Sequence, residues 1–128
     1  MTPDERRVVE LVNEYREMMG LRILEFDDLL TTAARGHSED MEARGFFAHE
    51  NPDGRGPGDR CREAGYPRAT VGENIVMGAY HAKEAHESWY GSSGHHRNML
   101  DGDWTQMGCG RSGGHWTEDF GAAPPKAK

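Results

Sequence analysis

The chain has 128 residues, enough for one domain that buries roughly two-thirds of its unfolded surface without cross-links. It is 35% hydrophobic and 29% charged with 17 Gly, a composition that implies many turns around a modest core and excludes a disordered chain. A formal net charge of −7, with Lys and Arg dispersed, argues against nucleic acid or an anionic membrane surface as partner, and no apolar run reaches the length of a transmembrane segment or forms a signal-peptide core.

Thr2-Pro3-Asp4-Glu5 predicts a helix start, with a Thr cap, Pro at the first helical position and Glu three residues after the cap. Val8, Leu11, Val12, Tyr15, Met18 and Met19 continue it at the helical period until Gly20, and the charged residues of this helix and the next are expected on solvated faces. Leu21 to Phe26 is a short alternating segment leading to Asp27, which caps a second helix with Leu30, Ala33, Ala34, His37 and Met41 on one face and Gly45 at its end. Residues 46–58 form a loop with a turn at Asn51-Pro52-Asp53-Gly54, and a short helix covers Asp59 to Ala64. Gly72 to Gly78 is extended, and a further helix runs from about His81 to Trp89 or Tyr90. Met107 to Arg111 and His115 to Phe120 form a hairpin across Ser112-Gly113-Gly114. Helices alternating with short strands predict an antiparallel sheet covered by helices. The domain spans residues 1–121, and the Pro/Ala/Lys-rich residues 122–128 are expected to form a tail or linker.

Three short segments rich in Gly and polar residues carry the candidate chemistry: Phe47-Ala48-His49, Gly72-Glu73-Asn74-Ile75 and Ser93-Gly94-His95. Such segments form loops and element ends, where sites concentrate. Two neutral imidazoles and a carboxylate suit zinc with an open coordination position, or a metal-free cleft in which the three groups hydrogen-bond one another. Cys61 and Cys109 are too few for a disulfide scaffold and fit their elements as buried free thiols.

The order and spacing of these segments give a resemblance to a known family. Phe46-Phe47-Ala48-His49 with Asn51-Pro52-Asp53-Gly54, Arg62-Glu63-Ala64-Gly65-Tyr66, Gly72-Glu73-Asn74-Ile75, Ser88-Trp89-Tyr90, Ser92-Ser93-Gly94-His95, Asn98-Met99-Leu100 and Met107-Gly108-Cys109-Gly110 occur in sequence. Together they resemble the CAP superfamily of cysteine-rich secretory proteins, antigen 5 and pathogenesis-related proteins, in its short bacterial form, over nearly the whole chain. The resemblance implies an α+β fold, an α/β/α sandwich with a central antiparallel sheet flanked by helices, and a large polar cleft. It places His49, Glu73 and His95 in that cleft as the metal set, with Asn74 beside them, and Ser92 where the family's second cleft Glu stands. It also implies an exported protein, extracellular or in the cell envelope, in which Cys61 and Cys109 have the opportunity to pair; the sequence alone fits a cytosolic protein equally.

Two functions compete on this sequence. One is a non-enzymatic, monomeric module whose cleft, with or without Zn²⁺, takes a small molecule, a lipid, or a protein or cell-wall partner. The other is a hydrolase in which Ser92 or Ser93 is the nucleophile, His95 or His49 the base and Glu73 its orienting group, or in which zinc-bound water attacks; no Gly-x-Ser-x-Gly elbow supports it. Asn74 and Asn98 are expected to brace backbone around the cleft, His37 to be packed and hydrogen-bonded, His81 and His86 to be solvated, and His115 to lie exposed or at the cleft rim.

Overall fold

The computed structural model describes residues 1–124. Its elements, in order, are α1 (Pro3–Met18), β1 (Glu25–Phe26), α2 (Asp28–Arg44), α3 (Pro57–Glu63), β2 (Val71–Met77), α4 (Ala82–Tyr90), α5 (Ser93–Met99), β3 (Gln106–Ser112) and β4 (His115–Gly121). The strands form one sheet in the order β1-β3-β4-β2. Its three long strands are antiparallel, and the short β1 adds a parallel pair against β3 at one edge.

Alternation along β3 and β4 divides the molecule into two layers. Met107, Cys109, Trp116 and Phe120 point to one face, where they pack with Val8, Val9 and Val12 of α1, Trp89 of α4 and Met99 of α5. The opposite face of β3 carries Gly108 and Gly110, and α2 lies directly on them. A Cβ at Gly108 would fall on the Thr31 backbone, and one at Gly110 on the Arg35 backbone. Gly110→Ala is therefore expected to destabilise the domain by at least about 1–3 kcal/mol, because neither the helix axis nor the sheet can retreat cheaply. Urea titration checks this; an unchanged midpoint would show that α2 has room to move.

The helix boundaries follow their predicted caps. Thr2 and Glu5 form a reciprocal capping box at α1. The Asp27 carboxylate accepts from Leu30 N at 2.9 Å, and Gly45, at φ 68°, ends α2. α3 begins at Pro57, two residues before the expected start, because Pro suits the first helical position. α5 is absent from the sequence expectation, which assigned no element to its residues. With seven residues and Gly94 inside, it has too little periodicity to be recognised.

Two expectations about α1 are corrected. Met18 and Met19 do not enter the core; they are 80% and 55% exposed at the helix end. Conversely Glu5 and Arg16 are buried rather than solvated. Arg16 donates to the carbonyls of Arg22, Met99 and Asp101, tying the helix to two loops. Glu5 accepts from Thr2 N and Arg111 N and pairs with Arg35, linking α1, α2 and β3. His86 is also half-buried rather than solvated, tilted against the Tyr90 ring.

Cys61 and Cys109 are both buried and free. Of the expected tail, Ala123 is buried, its N–H donating to Tyr66 Oη and its carbonyl accepting from Thr105 Oγ1. Residues 125–128 lie outside the described residues. No described helix is long and apolar enough to cross a membrane.

Candidate functional site

Glu73 is the hub of the site. It lies in β2 and, by strand alternation, points to the α2 side, where its side chain is only 1% exposed. Arg60 of α3 grips it with both terminal nitrogens, Nη1 to Oε1 at 2.8 Å and Nη2 to Oε2 at 3.0 Å. The same Nη2 donates to the His49 carbonyl at 2.7 Å, so one guanidinium fixes both the carboxylate and the loop that carries His49. His49 Nδ1 meets Glu73 Oε2 at 2.8 Å.

The electrostatics set the proton positions. Burial alone would push the Glu73 carboxyl up, but the hydrogen bonds from His49 and Arg60 outweigh it and hold the group below the usual carboxylate range. An ionised carboxylate only accepts, so His49 carries a hydrogen on Nδ1 and turns its Nε2 edge away from Glu73 on a half-exposed ring. Directly across the ladder from Glu73 stands Asp119, fully buried. Neither of its oxygens meets a well-formed donor, and burial followed by the Glu73 charge pushes its carboxyl far up. Asp119 is thus neutral beside an ionised Glu73, the arrangement that lets two carboxyl groups share one buried position.

His95 comes from α5 and lies near His49. Its Nδ1 is buried without a hydrogen-bond partner. Burial lowers its pKa, with His49 nearby acting in the same direction, which keeps the ring neutral at physiological pH. No hydrogen bond joins it to His49 or Glu73. What brings it to the site is a pair of amides. Asn74 donates from Nδ2 to the His95 carbonyl at 3.1 Å, while Asn98 Nδ2 donates to Asn74 Oδ1 at 3.1 Å and to the Glu73 carbonyl at 3.2 Å. Asn74 is buried and fully engaged in this bridge, so it acts as a brace between β2 and α5 rather than as a ligand contact. Its amide also donates to Glu118 Oε1 at 2.8 Å, on the face opposite Glu73.

Ser92 occupies the cap position of α5 without a side-chain cap bond. Among the described residues no serine hydroxyl hydrogen-bonds either imidazole, so no nucleophile–base pair is assembled. His37 is buried, as expected, with its ring Nε2–H donating to the Ala48 carbonyl at 2.8 Å. His96 is a structural residue, linking Tyr90 O and Tyr15 Oη. His115 is half-buried at the start of β4.

The residues present suit a metal less well than the three-ligand expectation. Glu73 has both oxygens committed to Arg60 and His49, which leaves two imidazoles and no free carboxylate. Among the described residues no group of three or more His, Cys, Asp or Glu is arranged to hold an ion. Glu73 orients the His49 ring, in the manner of the carboxylates that sit behind metal-binding imidazoles.

Sequence reasoning missed Arg60, Asp119 and Glu118. The last two lie in Trp116-Thr117-Glu118-Asp119-Phe120-Gly121, where adjacent acids in an otherwise apolar strand were a signal: strand alternation must bury at least one of them. Arg60 had no such mark, since it sits among the charged residues of a short helix.

Comparison with known proteins agrees with this architecture. The pattern of CAP, the cysteine-rich secretory protein family, matches residues 9–119. The uncharacterized protein YkwD of Bacillus subtilis (strain 168) is 37% identical over 118 residues, covering 91% of this chain and 46% of its own length. The uncharacterized membrane protein YlbC of the same organism is 33% identical over 119 residues, covering 93% of this chain and 34% of YlbC. The chain thus spans less than half the length of these relatives. A 1.5 Å crystal structure of an extracellular protein containing an SCP domain from Bacillus anthracis str. Ames superposes with a TM-score of 0.91 at 27% identity, covering 96% of this chain and 44% of that one.

Proposed function

Since the chain belongs to the CAP family of cysteine-rich secretory proteins, we propose that it is the non-enzymatic ligand-binding domain of an exported or envelope protein, in which His49 and His95 receive the ligand. The observation that carries this reading is the buried Arg60–Glu73 pair. It fixes the His49 ring in one tautomer with Nε2 facing outward, a preorganised acceptor opposite a second neutral imidazole. Such a pair accepts hydrogen bonds from polar groups of a small molecule or partner, and binds a divalent transition metal through nitrogen alone, with water or the ligand completing the shell. The extracellular and membrane-associated names of the relatives support an exported context.

Zinc is the practical probe of the two nitrogens. Calorimetric titration of the chelator-free domain is expected to show uptake that His49→Ala/His95→Ala abolishes, and that Glu73→Gln weakens by about 10–100-fold through loss of the fixed tautomer. Equal uptake by the parent and the double variant, or none by either, would remove metal from the proposal. Hydrolysis of peptide or ester substrates that depends on His49 would overturn the non-enzymatic reading.

A further inference from the structure

A second surface lies on the far side of α1 and is independent of the cleft. A groove of about 430 Å³ runs between α1 and the extended segment 23–26. Val9, Ile23, Leu24 and Phe26 supply its apolar lining, with Ile23 58% exposed. Glu10, Glu14 and Glu17 stand along the helical wall, against one cationic side chain, Arg6, among the described lining residues. The opposite wall is rigid. Asn13 clamps Leu24 at both backbone groups, Nδ2 to the carbonyl at 3.0 Å and Oδ1 from the N–H at 2.8 Å, so the groove is preformed.

We propose that this groove docks a basic, amphipathic peptide segment of a partner protein. Three features select that occupant. From Glu10 to Glu17 the acidic row extends about 10 Å, or two helical turns, the length over which a peptide helix repeats its cationic face. The row repels anionic headgroups and acidic peptides while favouring lysine or arginine. Arg7 engages Glu10 and Glu14 only as exposed pairs at 3.1 and 3.5 Å, which an incoming cation exchanges at little cost. The apolar stripe also continues beyond the groove. Met18 lies one turn past Glu14 and is 80% exposed, a flexible side chain of the kind that adapts to peptide partners. An isolated exposed Leu or Ile is ordinary; a clamped apolar groove bordered by three acids is a recognition surface.

The test uses a short, labelled helical peptide of leucine and lysine, titrated by fluorescence anisotropy against the full chain. Ile23→Asp and the charge reversal Glu14→Lys/Glu17→Lys are each expected to raise Kd at least about tenfold. All three of these side chains are exposed, so thermal melts should match the parent. Glu39→Lys/Glu50→Lys, with the same change in net charge on another face, should bind like the parent. Three results overturn the proposal: no binding, binding insensitive to Ile23→Asp, or equal weakening by the control pair, which would reduce the effect to net charge. Concentration-dependent dimerisation abolished by Ile23→Asp would also overturn it, assigning the groove to a second copy of this chain.

Discussion

Glu118→Gln should flatten the dependence of stability on pH between about 5 and 8 by one proton, or about 1.4 kcal/mol per pH unit. Glu118 is fully buried, and burial pushes its carboxyl up to about 8 despite the hydrogen bond from Asn74. In the unfolded chain it titrates near 4.5. Between those values the unfolded chain has released the proton and the native state has kept it. The stability Glu118 permits is therefore fully present below the unfolded value and falls as pH rises through the folded one, by at most about 5 kcal/mol. Glutamine keeps an acceptor for Asn74 and cannot ionise. Its amide, however, places donors where Glu118 Oε2 already lacks a partner, which costs about 1–3 kcal/mol at every pH. The two stability curves should accordingly cross: parent above variant at pH 5, variant equal or above at pH 8. Denaturant titrations at both pH values decide it, and parallel curves would show that Glu118 does not hold a proton in the native state.

Arg60→Met should lower stability by about 3–5 kcal/mol, because it leaves Glu73 buried without its cation. The Arg60 charge also opposes the rise of the facing Asp119 carboxyl, so its loss makes the Glu73–Asp119 pair hold protons more firmly. Glu73 would take up a proton, and a neutral carboxyl no longer forces the hydrogen of His49 onto Nδ1. The nitrogen-15 shifts of the His49 ring should therefore change from a single tautomer to a mixture. Adding Glu73→Gln to Arg60→Met removes the uncompensated charge and should recover part of the stability but none of the tautomer preference. A double variant no more stable than Arg60→Met alone would mean that packing, not charge, is what Arg60 contributes.

These residues also mark where the sequence was readable. Caps and glycines announce themselves locally, so the ends of α1 and α2 and the β3–β4 hairpin follow from composition and period. His49, Glu73 and His95 were recognisable because their segments keep an order and spacing particular to one family. The division of labour among them was not, since it depends on contacts across long separations: Arg60 reaches back to His49 and forward to Glu73, and Asn98 reaches Asn74 from another element. The burial of Glu5 and Arg16 was equally hidden. On the helical wheel both pass for solvated charge, and only the packing of α1 against β3 and the 99–101 segment buries them.

The grip of Arg60 on both Glu73 and the His49 carbonyl has a consequence for how the site can diversify. The chain leaves this anchor at His49 and returns to it at Arg60. Between them, Asn51 folds its own turn by accepting from Asp53 N and Arg55 N, and Asp59 closes the return by accepting from Gly56 N. The tip is therefore a span hung between two fixed points, held further only by the exposed Arg44–Asp53 and Arg55–Glu63 pairs among the described residues. Residues inserted between Asn51 and Arg55 would lengthen this tip without shifting the anchor at its base. Loop exchange can therefore remodel the surface beside α3 while the proton geometry of the anchor is inherited intact.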